Sequence, residues 1–160
     1  MANRKNSQGR ARKQPEDAVA MLKADHQKVR DLFQQYESAT DPDTKRELAE
    51  AACTELEIHA QLEEQIFYPA VNEETDEGAD LVKEAVEEHA TVKHLIEQLR
   101  GLDQDDNAFD ATFQELVQSV EHHIEEEESE MFPLAEAELE EDMDDLREEM
   151  QELKQEIAAS

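Results

Sequence analysis

The sequence EIHAQLEEQIFYPAV at residues 57–71 has a near copy at residues 121–135, EHHIEEEESEMFPLA. In each copy a histidine is followed four residues later by a glutamate, then by a second glutamate, an aromatic residue and a proline. Residues four apart lie on one face of a helix, so each copy places its histidine beside its first glutamate. We therefore expect two similar helical units, each presenting an imidazole and a carboxylate on one face.

The composition favours helix along nearly the whole chain. Of the 160 residues only three are glycine, four are proline and none is tryptophan, while alanine, leucine, glutamate and glutamine recur throughout. Polar segments such as NEETDEGAD separate the periodic stretches, and Thr44 with Glu47 is a candidate capping box. We predict an all-α protein, an antiparallel up-down-up-down four-helix bundle with an additional C-terminal helix; the bundle helices are expected near residues 16–39, 44–70, 78–100 and 107–134.

Charge is distributed unevenly along the chain. Residues 1–14 hold five lysines or arginines and no acid, which predicts a basic disordered tail. The remaining residues hold ten basic side chains against 44 acidic ones, a net charge of −34 that attracts cations and argues against a nucleic-acid partner. There is neither a long apolar run nor the apolar stretch of a signal peptide, so we expect no membrane association and a cytoplasmic location.

The spacing of apolar residues predicts which histidines face the bundle interior. On each predicted helix one histidine falls inside the apolar stripe, as His26 does between Leu22 and Val29. In the third helix the stripe is predicted to include Val86 and His89. The four inward-facing histidines are His26, His59, His89 and His123.

Two further histidines fall outside these stripes. We expect His94 and His122 to be exposed or to lie beside the site rather than in it. One residue of helix rotation would instead pair His122 with Glu127, and the spacing leaves that alternative open.

The similarity extends to whole halves of the chain. DHQKVRDLF at residues 25–33 resembles EHATVKHLI at residues 88–96, so the chain reads as two similar helical hairpins. Packing about a pseudo-two-fold axis would bring four histidines and two glutamates to one level of the core. Burying such a set without a partner is costly, whereas iron, manganese or zinc suits these donors, and two carboxylates can bridge two ions. The predicted metal ligands are His26, His59, Glu63, His89, His123 and Glu127.

This ordered set, His26, His59-xxx-Glu63, His89 and His123-xxx-Glu127, followed by FYP and FP, resembles the hemerythrin-like family of HHE cation-binding domains. The resemblance covers about residues 18–134 and implies that residues 15–134 form a four-helix bundle with a non-haem di-iron centre. It implies two iron ions with an oxo or hydroxo bridge, histidines as terminal ligands and glutamates as bridges. The expected function is to bind or react with dioxygen, peroxide or nitric oxide, or to sense or handle iron.

Three residues near the expected centre qualify this resemblance. The oxygen-carrying hemerythrins have a further histidine where this chain has Lys93, which argues against simple oxygen storage. Glu64 and Glu128 follow the expected bridges and are either orienting residues for the histidines or ligands in one redox state.

The alternative function is a metal-binding or purely structural interaction module without redox chemistry.

The segment 135–160 carries a separate pattern. Apolar residues recur there with the four-three spacing of a coiled-coil seam, surrounded by acidic residues. This acidic helix either folds back on the bundle or pairs with a second copy of the chain, and the narrow seam favours a homodimer. The seam residues are Leu139, Met143, Leu146, Met150, Leu153 and Ile157.

Overall fold

The computed structural model describes residues 17–103 and 106–159, so the basic segment 1–14 lies outside the described residues. The described chain is helical and has no strand, which confirms the predicted all-α bundle. None of its helices is both long enough and apolar enough to cross a membrane. The helices are α1 (Ala18–Ser38), α2 (Pro42–Leu62), α3 (Tyr68–Glu74), α4 (Asp76–Arg100), α5 (Asn107–Glu126), α6 (Phe132–Glu138) and α7 (Met143–Ala159).

Side-chain caps fix where the helices begin. The Asp17 carboxylate accepts the backbone N–H of Ala20 at 2.8 Å at the start of α1. At the start of α2 the Asp41 carboxylate accepts the N–H of Thr44 at 3.0 Å, with Pro42 in the first helical position. The predicted capping box at Thr44 is therefore wrong, because the helix begins two residues earlier on a different cap.

Two π turns interrupt the long helices, and each begins at one of the repeated glutamates. The turn Glu63–Phe67 joins α2 to α3, and the turn Glu127–Met131 joins α5 to α6. In the first, the Tyr68 N–H donates to the carbonyl of Glu63, five residues back. Each π turn is followed closely by a proline, Pro69 in the first copy and Pro133 in the second. A proline inside a helix has no N–H to donate to the carbonyl four residues back. The repeated proline therefore accounts for a widened turn at the same place in each half.

Apolar side chains form two clusters, one on each side of the buried histidines along the bundle. One cluster contains Phe33, Phe113 and Leu116 and lies toward the α1–α2 and α4–α5 connections. The other contains Leu62 and Phe132 and continues into the C-terminal helix. One stripe prediction is wrong: Val86 is 43% exposed, and the neighbouring Ala85 is buried in its place.

The C-terminal helix α7 folds back on the bundle. It packs against α1, α2 and the first π turn. Leu146 is 7% exposed and Met150 is completely buried within the same chain. Folding back was the less favoured alternative from sequence, and the homodimer predicted through this seam is wrong as stated, because its central residues already contact their own bundle.

Replacing Met150 with alanine is expected to destabilise the monomer by about 2–5 kcal/mol, because the side chain fills a fully buried position. Urea unfolding followed by circular dichroism measures the change. Gln155→Ala, on an exposed position of the same helix, is the control and is expected to shift stability by less than about 0.5 kcal/mol. A wild-type chain that sediments as a dimer and is merely dissociated by Met150→Ala would contradict the folded-back helix.

Candidate metal centre

The structure brings all six predicted ligand residues into one buried cluster. Each is no more than 6% exposed. The cluster consists of two overlapping groups that share Glu63 and Glu127, and the donor atoms within each group lie within 4.8 Å of one another. His26 and His59 complete the first group, and His89 and His123 complete the second. Imidazole and carboxylate donors of this kind are suited to binding a first-row transition-metal ion.

Four buried atoms of the first group have no hydrogen-bond partner among the described residues. They are Nε2 of His26, Nε2 of His59, Oε2 of Glu63 and Oε1 of Glu127. The distance from His26 Nε2 to Glu127 Oε1 is 3.1 Å and that from His59 Nε2 to Glu63 Oε2 is 3.2 Å, yet neither pair is aligned for a hydrogen bond. Unpaired buried donors and acceptors are costly, so their convergence fits a cation held between them.

Tyr68 is a further member of the cluster that the sequence analysis missed. Its single O–H can donate to either shared carboxylate, since the hydroxyl lies 3.0 Å from Glu63 Oε1 and within hydrogen-bond distance of Glu127 Oε2. The hydroxyl also lies 3.2 Å and 3.3 Å from the Nε2 atoms of His89 and His123. The equivalent residue in the second copy is Phe132, whose ring stacks on His26 at a centroid distance of 5.7 Å. The pseudo-symmetric site is therefore asymmetric, with a phenol beside one pair of histidines and an apolar ring beside the other.

Each of the four histidines contacts an acid through Nδ1, the ring nitrogen that faces away from the cluster. Such contacts fix the ring orientation and leave Nε2 directed at the site. These four acids occupy matching positions in the two halves of the chain. Two of them immediately precede a histidine, His26 in α1 and His89 in α4, and the other two immediately follow the shared glutamates. The pairs are His26 with Glu128 at 2.7 Å, His59 with Asp25 at 3.0 Å, His89 with Glu64 at 2.6 Å and His123 with Glu88 at 2.6 Å.

These contacts assign Glu64 and Glu128 an orienting position, one of the two roles considered from sequence. Asp25 and Glu88 were not predicted, although the signal was present, since each immediately precedes a histidine in the aligned halves. Lys93 forms an ion pair with one of these acids. Its ammonium group lies 3.1 Å from Glu64 Oε1, and its side chain is about half exposed.

The charges of the cluster change the ionisation of its members. Burial alone would lower the pKa of His59, but the negative charge of Glu63 and the hydrogen bond to Asp25 raise it to about 10. Burial would likewise lower the pKa of His123, but Glu127, Glu63 and Glu88 raise it to about 12. The raised pKa values favour the protonated rings when no cation is bound, so cation binding is expected to release protons.

The phenol of Tyr68 is held in its neutral form by the same surroundings. Burial, followed by the negative charges of Glu63 and Glu127, raises its pKa well above the usual value. A cation placed between those carboxylates would reverse the local charge and favour the phenolate. Tyr68 is therefore expected to become a metal ligand only by losing its proton when a cation binds.

The remaining histidines lie outside this cluster. His94 is exposed and lies 3.3 Å from the Gln98 amide. His122 is also exposed and contacts Glu126 at 3.0 Å and Glu88 at 3.5 Å. Their exposed positions agree with the prediction, and the alternative pairing of His122 with Glu127 is wrong.

A small cavity of about 30 Å³ borders the cluster on its histidine side. All four buried histidines line it, whereas Glu63 and Glu127 do not. A space of this size holds about two molecules as small as water. Seven apolar residues form most of the remaining wall, namely Val29, Leu56, Ala60, Val92, Ile96, Val120 and Ile124. Three charged residues, Asp25, Glu57 and Lys93, complete it.

The fold and the buried donor set define a helical-bundle protein with a cation-binding centre. Residues 17–135 match the family described as Hemerythrin HHE cation binding domain. The match spans well over half of the sequence, so the chain belongs to the hemerythrin HHE family, as the histidine and glutamate motif predicted.

Individual relatives and a solved structure give further comparison. A DNA nickase from Nostoc sp. is 29% identical over 120 residues, which cover 75% of this chain and 34% of that protein. An uncharacterized hemerythrin-like protein from Schizosaccharomyces pombe is 29% identical over 119 residues, or 74% of this chain and 59% of the relative. The chain thus spans only part of the length of either relative.

The structural comparison supports the fold. The crystal structure of a hemerythrin HHE cation binding domain-containing protein from Mycobacterium kansasii has a TM-score of 0.74 with this chain and 23% sequence identity. The likeness covers 88% of this chain and 86% of that one. It therefore includes more of the chain than the family match alone.

Proposed function

We propose that the buried cluster binds two iron ions and that the chain uses them to bind or react with dioxygen, peroxide or nitric oxide. The donors are His26, His59, Glu63, His89, His123 and Glu127, with Tyr68 as an additional donor. A bound iron pair would supply the electrons and the Lewis acidity for such chemistry. The observation that carries the proposal is the small, largely aliphatic cavity bordered by all four histidines.

The number and type of donors support iron over zinc. The cluster offers four ring nitrogens, four carboxylate oxygens and one phenol oxygen. This is more than two tetrahedral zinc ions take up and fewer than two octahedral ions accept, so positions remain for a small ligand. Imidazole combined with carboxylate suits iron among the octahedral ions.

The protein residues have distinct roles in this proposal. The four acids on Nδ1 hold the imidazoles in place, and the two shared glutamates hold the ions together. The aliphatic wall admits a small uncharged molecule and excludes bulk water, which strengthens electrostatic interactions inside the site. Without a cation the neutral Tyr68 hydroxyl lies within hydrogen-bond distance of both shared carboxylates, and its deprotonated form would supply an anionic oxygen donor to a bound cation.

Narrowing the cavity tests this function. Ala60→Leu places extra bulk in the cavity wall, whereas Ala90→Leu makes the same change on an exposed position of α4. We expect Ala60→Leu to retain its iron but, after anaerobic reduction, to reoxidise several-fold more slowly when mixed with dioxygen in stopped-flow measurements. Ala90→Leu is expected to match wild type. Equal reoxidation rates in wild type and both variants would show that dioxygen does not reach the iron through this cavity.

The alternative is a structural interaction module without redox chemistry. The observation that favours it is the short distance between imidazole and carboxylate, 3.2 Å from His59 Nε2 to Glu63 Oε2 and 3.3 Å from His123 Nε2 to Glu127 Oε2. Protonated rings at these distances would balance the buried carboxylate charges without a metal. This alternative predicts a colourless chain, metal-free or carrying zinc, whose spectrum does not respond to reductant or dioxygen. The iron proposal predicts the opposite response.

Replacing Tyr68 with phenylalanine is expected to change the optical spectrum while leaving iron content near the wild-type value, because the six other ligand residues remain. A phenolate bound to ferric iron adds a visible charge-transfer absorption, and the variant is expected to lose it. Tyr36→Phe is the control, since Tyr36 is equally buried but bonds Asp110 away from the cluster. An unchanged spectrum in Tyr68→Phe would show that the phenol does not bind the metal.

A further inference from the structure

The C-terminal helix lies outside the family match but contacts residues beside the buried histidine and glutamate cluster. The match ends at residue 135, and α7 begins at Met143. Lys154 of α7 places its ammonium group 3.2 Å from Oδ1 of Asp25. The other carboxylate oxygen of Asp25 contacts Nδ1 of His59 at 3.0 Å. A continuous chain of polar contacts therefore connects α7 to one of the metal-facing histidines.

The packing of α7 determines where Lys154 lies. Met150 is completely buried, and Lys154 follows it by one helical turn on the same face. The Lys154 side chain is about one third exposed, and its partner Asp25 is 11% exposed. The ammonium group is therefore brought to Asp25 by the docking of a helix, rather than by a long side chain moving freely on the surface.

A second contact joins the same helix to the site. α7 also packs against the π turn Glu63–Phe67, which begins with one of the two shared glutamates. The helix thus touches both the turn that carries Glu63 and the acid that orients His59. His59 belongs only to the first group of donor atoms, whereas Glu63 is shared by both groups.

We propose that Lys154 is a positioning residue of the metal centre, through which docking of the C-terminal helix and occupancy of the site stabilise each other. Lys154 fixes the Asp25 carboxylate, and Asp25 accepts the Nδ1–H of His59, so that Nε2 of His59 faces the cation. Coupling of this kind is reciprocal: if docking tightens cation binding, the bound cation tightens docking. The inference rests on cation binding by the cluster, but not on the identity of the ion or its redox chemistry.

Cobalt(II) is a suitable probe, because its release can be followed optically without oxidation. The full-length chain is loaded with cobalt(II) and mixed with excess EDTA. Loss of a direct partner of a metal-binding histidine commonly weakens metal affinity by about 10–100-fold. Since Lys154 acts one residue further away, we expect Lys154→Met to release cobalt about threefold to tenfold faster than wild type.

Two variants serve as controls for charge and packing. Lys154→Arg keeps a cation at the end of a long side chain and is expected to restore slow release. Lys28→Met removes the same charge from a lysine on α1 whose partner is Glu55 at 3.0 Å, rather than an acid bound to a histidine. It is expected to release cobalt at the wild-type rate.

A double-variant cycle separates positioning from general stability. If Lys154 acts through Asp25, then Lys154→Met added to Asp25→Asn is expected to release cobalt no faster than Asp25→Asn alone. Hydrogen exchange supplies the reciprocal measurement: cobalt is expected to slow exchange of the amides of residues 143–159 in wild type, and to do so much less in Lys154→Met.

The possible outcomes distinguish this inference from the proposed function. Wild-type release from Lys154→Met, or a full effect of that change in the Asp25→Asn background, would overturn the positioning role while leaving cation binding intact. A wild-type chain that takes up no cobalt would overturn both proposals. Faster release that depends on Asp25 and is reversed by Lys154→Arg would support the inference.

Discussion

Replacing Glu63 with alanine is expected to abolish iron binding at both positions, because Glu63 belongs to both groups of donor atoms. His59→Ala and His123→Ala each remove a donor from one group only, so each is expected to retain about half of the wild-type iron. Iron content per folded chain, measured by plasma mass spectrometry with folding checked by circular dichroism, tests this graded series.

The chain provides its own control for these histidine substitutions. His94 is exposed and lies outside the cluster, so His94→Ala is expected to keep the full iron content. If His94→Ala loses as much iron as His59→Ala and His123→Ala, the assignment of ligands is wrong. If Glu63→Ala loses no more than the single-histidine variants, the glutamate is not shared between two ions.

Removing the metal is expected to lower the melting temperature of the wild-type chain by on the order of 10 °C. A ligand present at a thousand times its dissociation constant stabilises the folded state by about 4 kcal/mol, and each kcal/mol is equivalent to about 2–4 °C in a domain of this size. Calorimetry of the chelated and the iron-loaded protein measures the difference.

A matched comparison shows whether the stabilisation comes from this site. Glu63→Ala, which is expected to bind no iron, should melt at the same temperature with and without added iron. Equal melting temperatures for chelated and iron-loaded wild type would show that the metal does not stabilise the folded chain.

The fold and the six candidate ligands could be predicted because they follow from periodicity. One helical turn separates His59 from Glu63 and His123 from Glu127, and apolar residues one turn apart place His26 and His89 on the inner face. Repetition of the pattern in two halves then places all six residues at one level of the bundle. The structure brings them together as this reasoning expected.

Tyr68 was missed because local widening of the helix brings it inward. In a regular α-helix a residue five positions after Glu63 would be rotated away from it, but the π turn returns the Tyr68 hydroxyl to the Glu63 carboxylate. The repeated proline was the available signal, since it removes a regular helical hydrogen bond in both halves.

The remaining misses depend on packing between distant segments. The spacing of Met143, Leu146 and Met150 fits a seam with a second chain as well as it fits a groove of the same bundle, and only the packing of α7 decides between them. The contact between Lys154 and Asp25 spans 129 positions and depends on that packing. Val86 was misplaced because the inner face of α4 passes through Ala85.

The central claim is that the cluster of four histidines and two shared glutamates binds a pair of iron ions. It is tested most directly by measuring the metal content and the optical spectrum of the wild-type chain purified in air. We predict iron as the dominant metal, at about two ions per chain, with visible absorption that is bleached by reductant and returns with dioxygen. A colourless protein that contains zinc or no metal, and takes up no iron when iron is supplied, would contradict the claim.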